Sequence, residues 1–287
     1  MGGLGNQLFQ IFALISYALD TKNPFVFLNV DNVGTGLTTN RPTYWNTFLQ
    51  SLRAFIKDPN NIRINTMLQE EGANQYTNLQ QLVASSLPTR LDNIMFYGYF
   101  QSYKYFQTNY QVITRLIRLK EQQDDALKYM PTTTTITTTI TTTSSIIVSM
   151  HFRFGDYKRI PGNVLPYSYF RNSVLHMHKK LHDNHAPMHI LYFCEPDAVE
   201  DVAPYVDQLK TEFSDVAAFE LANTALPDYV QMMMMSLCSH HIVANSTFSW
   251  WGAYFNESPN KIVCYPDTWS QSAQDFIPVG WNAVPVV

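Results

Sequence analysis

The sequence predicts an α/β protein with a parallel sheet in its C-terminal half, and two observations carry this prediction. Short apolar runs typical of buried strands alternate with longer segments of helical periodicity. A low-complexity threonine tract separates this half from the rest of the chain. At 287 residues the chain is long enough for two ordinary domains of about 100–200 residues each. We therefore expect an N-terminal domain at residues 1–131, a threonine-rich linker or insertion at 132–145 and a C-terminal domain at 146–287.

Composition and charge exclude several classes of protein. Apolar residues make up 46% of the chain and charged residues 15%, which argues for a well-filled core rather than disorder. A net charge of −4 provides no basic field, so we expect no nucleic-acid partner. No apolar run reaches the roughly 18 residues that a membrane span needs, so we expect no membrane segment in this chain. The composition gives no indication of the oligomeric state.

The N-terminal half opens with a glycine-rich turn that leads into a helix. Apolar residues three and four positions apart predict one apolar helix face over residues 6–19, formed by Leu8, Ile11, Phe12, Ile15 and Leu19. Residues 25–28 are typical of a short buried strand, and residues 29–40 of a long surface loop. We expect short helices between residues 44 and 91.

The C-terminal half predicts a Rossmann-like unit. Apolar runs at residues 146–150, 189–193, 241–244 and 262–264 predict buried strands, and residues 169–181 and 229–237 predict helices between them. The threonine tract before these strands has no apolar face that a core requires. We therefore prefer an exposed segment to a strand there, although threonine is β-branched and favours strands.

Polar residues follow the first of these strands. Alternation places His151 and Arg153 on one side and Phe152 and Phe154 on the other. Open α/β sheets bind ligands at the carboxyl ends of their strands, and the planar guanidinium suits a diphosphate. The alternative is that Arg153 forms a structural ion pair with Asp156 and that His151 is a core histidine with its hydrogen bonds satisfied.

Two further segments have the composition of an anion-binding helix start. Residues 245–253 follow a predicted strand and place Asn245, Ser246 and Thr247 at the beginning of a helix. The alternative is a capped helix that buries Phe248 and its two tryptophans. Residues 2–7 combine three glycines with Asn6 and Gln7 before the first helix, and the alternative there is a tight turn.

Nothing in the sequence indicates a metal site. Cys194, Cys238 and Cys264 are far apart and form no CxxC pair. The chain has no Asp-x-Asp motif of the kind that holds a divalent cation beneath a nucleotide diphosphate. The nearest sequences are at residues 124–125 and 195–197, and we interpret both as solvated surface.

Four blocks of sequence, taken together, carry a resemblance. They are residues 2–10 (GGLGNQLFQ), 98–106 (GYFQSYKYF), 151–157 (HFRFGDY), and 235–240 running into 245–251 (NSTFSWW). In order and spacing they resemble the α-1,2-fucosyltransferases of glycosyltransferase family eleven. They span nearly the whole chain.

The resemblance implies a GT-B-like fold, with two Rossmann-like domains that face a cleft. It implies inverting, metal-independent transfer of L-fucose from GDP-fucose to a glycan hydroxyl, commonly the 2-position of a galactoside. The partners would be a nucleotide-sugar donor, bound by the C-terminal domain, and a glycan acceptor, on the side of the N-terminal domain. No cofactor beyond the donor substrate is implied.

The resemblance also implies roles for residues at the matched positions. Arg153 would stabilise the departing GDP, and His151 and Asp156 are the candidates for the catalytic base because they are near it. The expected donor-binding residues are Arg153, Asp228, Asn245, Ser246, Thr247 and Phe248. Gly3, Gly5, Asn6 and Gln7 would form a loop that faces the cleft.

Three departures from the family pattern qualify these expectations. Family members usually carry a second arginine where this chain has Phe154, and the threonine tract is extra. The usual first β-strand would precede the glycine-rich segment, and the chain as given starts at Met1. The alternative function is therefore a catalytically inactive homologue that binds a nucleotide sugar or a glycan. We expect a cytoplasmic location for the chain as written, and a secretory-pathway membrane if an anchor precedes Met1.

Overall fold

The computed structural model describes residues 2–30, 41–70, 75–86, 93–131, 136–138, 141–143, 146–181, 187–269 and 275–287. Contacts between Cα atoms divide the chain into two compact units. The first unit consists of Met1–Gln122 with Ser270–Val279, and the second consists of Gln123–Trp269 with Gly280–Val287. The predicted loop over residues 31–40 lies outside the described residues.

This division differs from the expected one at both ends of the second unit. The first unit ends before residue 131, and it takes back a segment of the C-terminal region, Ser270–Val279. The threonine tract therefore lies within the second unit. Its described residues form two antiparallel strands, β5 (Ile136–Thr138) and β6 (Thr141–Thr143). The preference for an exposed segment without strands was wrong as to strands for these six residues, since two strands can pair their own backbones and β-branched residues favour strands.

Helices and short parallel strand pairs make up the first unit. Its elements are α1 (Leu4–Thr21), β1 (Phe27–Leu28), β2 (Ile56–Lys57), β3 (Thr66–Gln69), α2 (Leu79–Ser86), β4 (Ile94–Tyr97) and α3 (Tyr110–Leu116), and α4 (Leu119–Ala126) continues into the second unit. Strand β1 pairs with β2, and β3 pairs with β4. The predicted strand at 25–28 is shorter than expected, and β3 lies in a region where only helices were predicted.

The predicted first helix is confirmed as α1, and its apolar face forms the core of the first unit. Leu8, Ile11, Phe12 and Ile15 are buried, and the ring centroid of Phe12 lies 5.3 Å from that of Phe106. Leu19, in contrast, is 39% exposed. The apolar face therefore ends before the last turn of the helix.

The second unit contains a six-stranded, fully parallel sheet covered by helices. Its further elements are β7 (Ile146–His151), α5 (Tyr167–Leu181), β8 (Met188–Phe193), α6 (Val199–Glu212), β9 (Ala217–Leu221), α7 (Asp228–Leu237), β10 (His240–Ile242), α8 (Thr247–Phe255), β11 (Val263–Pro266) and β12 (Asn282–Val284). The four predicted strands and two predicted helices are confirmed, with ends shifted by a few residues. The α/β class is confirmed, and the second unit has a Rossmann-like sheet, whereas the described strands of the first unit form two-stranded pairs.

The order of the strands identifies where this sheet binds ligands. The order is β9-β8-β7-β10-β11-β12, so the chain builds outward from β7 to β9 and then returns to β10 on the other side of β7. His240 pairs with Val148 and Ile242 with Met150 across this junction. In sheets of this type, ligands bind outside the carboxyl ends of the two strands at which the order reverses.

A buried polar network positions the segment between β10 and α8. Asn256 Nδ2 donates to Nε2 of His241 at 2.9 Å, so the ring hydrogen is on Nδ1, which donates to Ser149 Oγ at 2.8 Å. Burial lowers the pKa of His241 well below its usual value. The network thus ties β7, β10 and the end of α8 together through neutral groups.

Close packing of α7 on α8 fixes the direction of α8. A Cβ atom on Gly252 would lie 2.8 Å from the Cβ of Met235, so only glycine allows the two helices this approach. Trp250 and Trp251 are fully buried. None of the helices in the described parts of the chain combines the length and the apolar character that crossing a bilayer requires.

Candidate functional site

The turns that follow β7 and β10 lie in contact at the carboxyl end of the sheet, and we call them together the switch-point site. The ring centroids of His151 and Phe248 are 5.5 Å apart. Tyr157 donates its hydroxyl hydrogen to the carbonyl oxygen of Asn245 at 3.1 Å. The site consists of the last residue of β7, the turn after it, the turn after β10 and the start of α8: His151, Arg153, Asp156, Tyr157, Asn245, Ser246, Thr247 and Phe248.

The predicted alternation of side chains after β7 is confirmed. Phe152 and Phe154 belong to the buried core of the second unit, where they are 0% and 5% exposed. The ring centroid of Phe154 lies 5.3 Å from that of Tyr205 on α6. His151 and Arg153 point the other way, toward the switch-point site. The residue at position 154 therefore fills the core rather than contributing to the site.

His151 is buried without being satisfied. Its Nδ1 has no hydrogen-bond partner among the residues that the structure describes. Burial, with a smaller contribution from the charge of Arg153, lowers the pKa of His151 to about 3. The imidazole is therefore neutral at pH 7. An unpaired buried nitrogen costs about 1–3 kcal/mol, which argues against the interpretation as a satisfied core histidine.

Arg153 binds two carboxylates. Its Nη2 donates to Asp156 Oδ1 at 2.5 Å, and its Nη1 donates to Glu195 Oε1. Its guanidinium carbon lies 4.9 Å from the ring centroid of Tyr157, which places the cation over the aromatic face. The predicted ion pair with Asp156 is thus present and is part of a larger arrangement.

The interpretation of Glu195 as solvated surface was wrong. Its side chain is 21% exposed, and its Oε2 accepts a hydrogen bond from the backbone N–H of Phe154 at 3.3 Å. Glu195 follows β8, the neighbour of β7 in a parallel sheet, so the carboxyl ends of the two strands are adjacent. The contact follows from this adjacency, which the structure shows and the sequence alone does not state.

The turn before α8 has the expected cap. Ser246 Oγ accepts from the N–H of Phe248 at 3.3 Å, and Ser249 Oγ accepts from the N–H of Ala244 at 3.2 Å. Asn245 Nδ2 donates to the carbonyl oxygen of Asn163 at 2.9 Å, whereas its Oδ1 is buried without a partner in the described structure. Thr247 begins the helix and is partly exposed. The capped-helix interpretation therefore holds. The capped end of α8 also belongs to the switch-point site.

Asp228 is not among the residues of the switch-point site. It begins α7, which follows the edge strand β9, and its side chain is exposed. Its Oδ1 accepts from the N–H of Tyr229 at 2.8 Å. Its role as an acceptor for guanine or ribose stays a prediction.

The four residues of the predicted cleft loop belong to the first unit, where they lie at the start of a helix rather than in a loop; that they face the cleft stays a prediction. Gly3 is the N-cap of α1, with extended backbone angles, and Gly5, Asn6 and Gln7 lie in the first turn of the helix. Gln7 Nε2 donates to the carbonyl oxygens of Gly2 at 3.0 Å and Pro42 at 2.9 Å.

Asn6 joins the first two sequence blocks. Its Oδ1 accepts from Gln101 Nε2 at 2.9 Å, so residues 2–10 and 98–106 meet inside the first unit. A positive φ, 82°, occurs at Gly2, where a Cβ would lie 2.5 Å from Asn6 Nδ2. Glycine at this position thus leaves room for Asn6.

In the described ranges of the chain, no three His, Cys, Asp or Glu side chains are grouped so that they would hold a metal ion. The absence of a metal requirement stays a prediction. Cys194, Cys238 and Cys264 are free and buried.

Comparison with known proteins places the chain in a family. It is 30% identical to the O-antigen biosynthesis glycosyltransferase WbnK of Escherichia coli over 128 residues, 42% of this chain and 38% of that one. It is 25% identical to an alpha-1,2-colitosyltransferase of Escherichia coli over 281 residues, 93% of this chain and 90% of that one. The chain thus spans less than half of the first relative and most of the second.

Two solved structures are reported for comparison. A structure of POFUT1 in complex with GDP matches with a TM-score of 0.48 and 11% identity over 92% of this chain and 95% of that one. The ADP-heptose heptosyltransferase II of E. coli matches with a TM-score of 0.37 and 10% identity over 57% of this chain and 43% of that one. The model of glycosyl transferase family 11 matches residues 39–282, and the chain therefore belongs to that family.

Proposed function

We propose that this chain transfers L-fucose from GDP-fucose to a glycan hydroxyl, the 2-position of a galactoside, with inversion and without a metal ion. One observation carries the proposal. An arginine, a neutral histidine and the start of a capped helix lie together where the strand order of a Rossmann-like sheet reverses. That is where such sheets bind nucleotides.

The chemistry of the leaving group explains why these residues suit the reaction. When the sugar–oxygen bond breaks, negative charge develops on the β-phosphate of GDP. A guanidinium has five N–H donors, and its bonds to Asp156 and Glu195 leave donors on the same fork for phosphate oxygens. The first N–H groups of α8 add a fixed positive dipole. Donors oriented in advance stabilise this charge in the transition state.

His151 suits a hydrogen-bonding role better than that of the base. A pKa of about 3 keeps its ring neutral near pH 7 but makes it a weak proton acceptor. Its ring lies 5.5 Å from that of Phe248 between centroids, the charge of Arg153 acts on it, and its Nδ1 has no partner among the described residues. We propose that five residues bind the donor: Asn245, Ser246, Thr247, Phe248 and Asp228. Since His151 is a weak proton acceptor, we propose Asp156, the other candidate, as the catalytic base.

The test is an incubation of the purified protein with labelled GDP-fucose and a panel of galactosides, with linkage analysis of the product. We expect an α-1,2-linked fucoside. A well-folded protein that neither transfers fucose nor hydrolyses GDP-fucose would contradict the proposal. Binding of GDP without turnover would favour the inactive homologue.

A second candidate is transfer of a different deoxy sugar. The relative that aligns over most of its length is an alpha-1,2-colitosyltransferase, so GDP-linked colitose is the second donor in the assay. The residues described above recognise the diphosphate rather than the sugar, so they suit both donors. A higher kcat/KM with the colitose donor would select this candidate.

A further inference from the structure

Glu195 occupies a special position beside Arg153. It reaches Arg153 from the turn after β8, whereas Asp156 reaches it from the same turn as the arginine. One carboxylate oxygen of Glu195 accepts from the guanidinium, and the other accepts from the backbone N–H of Phe154. Both oxygens are therefore used, and each holds a different part of the segment that carries Arg153.

Gly155 provides the space for this carboxylate. A Cβ atom on Gly155 would lie 3.0 Å from Glu195 Oε1 and 3.2 Å from its Cδ. The φ of Gly155 is outside the left-handed region, so the backbone itself would accept alanine. Glycine at this position of the HFRFGDY block is thus explained by the approach of Glu195 rather than by the conformation of the turn.

The charges of this group make its arrangement unusual for an anion site. Two carboxylates and one guanidinium carry a net charge of −1, which by itself repels a diphosphate. Such a pairing is useful to a diphosphate site only if it fixes the direction of the guanidinium. Arg153 is held at both Nη atoms and over the ring of Tyr157. It therefore loses little conformational entropy when a diphosphate binds.

We propose that Glu195 is a positioning residue for the transfer reaction, and that it orients the guanidinium of Arg153 toward the diphosphate with Gly155 leaving room for it. This proposal rests on the proposed function. Glu195 itself does not contact the donor. It acts by holding Arg153 and the backbone of Phe154 in one geometry.

The first variant is Glu195→Gln. An amide oxygen can accept from one of the two donors, but the amide N–H₂ group then faces the other, so one contact is lost. We expect kcat per folded molecule to fall about 10- to 100-fold, as for a small misplacement of a catalytic group, and GDP to bind more weakly. If Glu195 were only a nearby charge, its removal would strengthen GDP binding. The direction of the change in Kd therefore decides between the two roles.

The second variant is Gly155→Ala, which changes no charge. Its Cβ displaces the carboxylate of Glu195, so we expect a loss of kcat in the same direction. Both changes disturb the same contact of Glu195. The kcat of the double variant should therefore be little lower than that of the more impaired single variant. Losses that multiply would show that the two residues act independently and would overturn the proposal.

The matched control is Asp201→Asn. Asp201 pairs with Lys158, which lies in the same turn as Gly155, at 2.5 Å. Its loss also removes a carboxylate that holds this turn, from a more exposed pair, and kcat should change by no more than about twofold. kcat, the Kd of GDP from calorimetry and the melting temperature are measured on each preparation.

These measurements distinguish failure of the proposed function from failure of the role proposed for Glu195. Failure of the wild-type protein to bind GDP would overturn the proposed function and, with it, this inference. If the wild-type protein binds GDP, tighter binding by Glu195→Gln would overturn the inference alone. So would an unchanged kcat per folded molecule with a lowered melting temperature, because that result defines a purely structural role.

Discussion

The hydroxyl of Tyr157 donates to the carbonyl oxygen of Asn245 at 3.1 Å, and this bond joins the turns after β7 and β10. The two residues are 88 positions apart in the sequence. The same tyrosine ring lies under the guanidinium of Arg153. One side chain therefore links the cation of the site to the segment that caps α8.

Tyr157→Phe tests whether this link holds the site together. The change keeps the ring under Arg153 and removes the hydrogen bond. We expect the free energy of unfolding to fall by about 1 kcal/mol and the KM for the donor to rise severalfold, because the cap before α8 is less firmly held. Denaturant titration and steady-state kinetics measure the two effects.

Tyr205→Phe is the matched control for this prediction. Tyr205 packs its ring against Phe154 in the core of the second unit, on the side away from the site. Its variant should leave the KM for the donor unchanged. A rise in KM of equal size in both variants would contradict the prediction. It would show that the effect comes from the core rather than from the hydrogen bond between Tyr157 and Asn245.

The main part of the second unit could be predicted from the sequence because its strands are continuous apolar runs. A run such as residues 146–150 is typical of a strand inside a covered parallel sheet, and it forms β7. β9 was missed because its residues alternate between partly buried and exposed, and β12 because Asn282 leaves it no continuous apolar run. Neither has the apolar run on which the prediction relied.

The candidate site was predictable where the contacts are local. Asp156 is three residues from Arg153, so their ion pair follows from the sequence alone. The contact with Glu195 depends on which strands are neighbours, which a single sequence does not state. The first unit was the least predictable part, since β1 and β2 have two residues each and take their pairing from tertiary contacts.

The three cysteines should be inert in the native protein. Burial raises the pKa of Cys194 to about 11 and that of Cys264 to about 12, and it raises the pKa of Cys238 further. The thiolate is the reactive form, so we expect a chromogenic disulfide reagent at pH 8 to modify the thiols only after denaturant is added. Rapid modification of a thiol with an unchanged circular dichroism spectrum would contradict this prediction.

The buried His151 should make stability depend on pH. In the unfolded chain its pKa is near the ordinary value of about 6.5, and in the folded protein it is lowered to about 3. Between these values only the unfolded state takes up the proton. The contribution of neutral His151 to the free energy of unfolding is therefore fully present above a pH of about 6.5. It is lost as the pH falls toward 3.

His151→Gln isolates this contribution. Below pH 6 the free energy of unfolding of the wild-type protein should fall more steeply than that of the variant, by about 1.4 kcal/mol per pH unit for one proton. Other titrating groups affect both proteins equally. Parallel curves for the two proteins between pH 6 and pH 4 would show that His151 is not held neutral.

Transfer activity should persist in excess EDTA. Arg153 and the start of α8 are proposed to stabilise the leaving group, and the described residues offer no cluster for a divalent cation. The rate of fucose transfer is measured before and after chelation, and again after addition of magnesium or manganese. Activity that disappears with EDTA and returns with either metal would contradict the prediction.

The role of Arg153 in stabilising the leaving group is tested by the kcat of Arg153→Lys, measured with the Kd of GDP and the melting temperature on one preparation. An ammonium still pairs with a carboxylate, but it lacks the planar fork that gives two parallel bonds to a phosphate. We predict a kcat lowered about 10²–10³-fold in a folded protein. Arg171→Lys, which alters a surface pair with Glu212, should leave kcat unchanged. A near-normal kcat for Arg153→Lys with a lowered melting temperature would make Arg153 a structural partner of Asp156 and Glu195 and would contradict the claim.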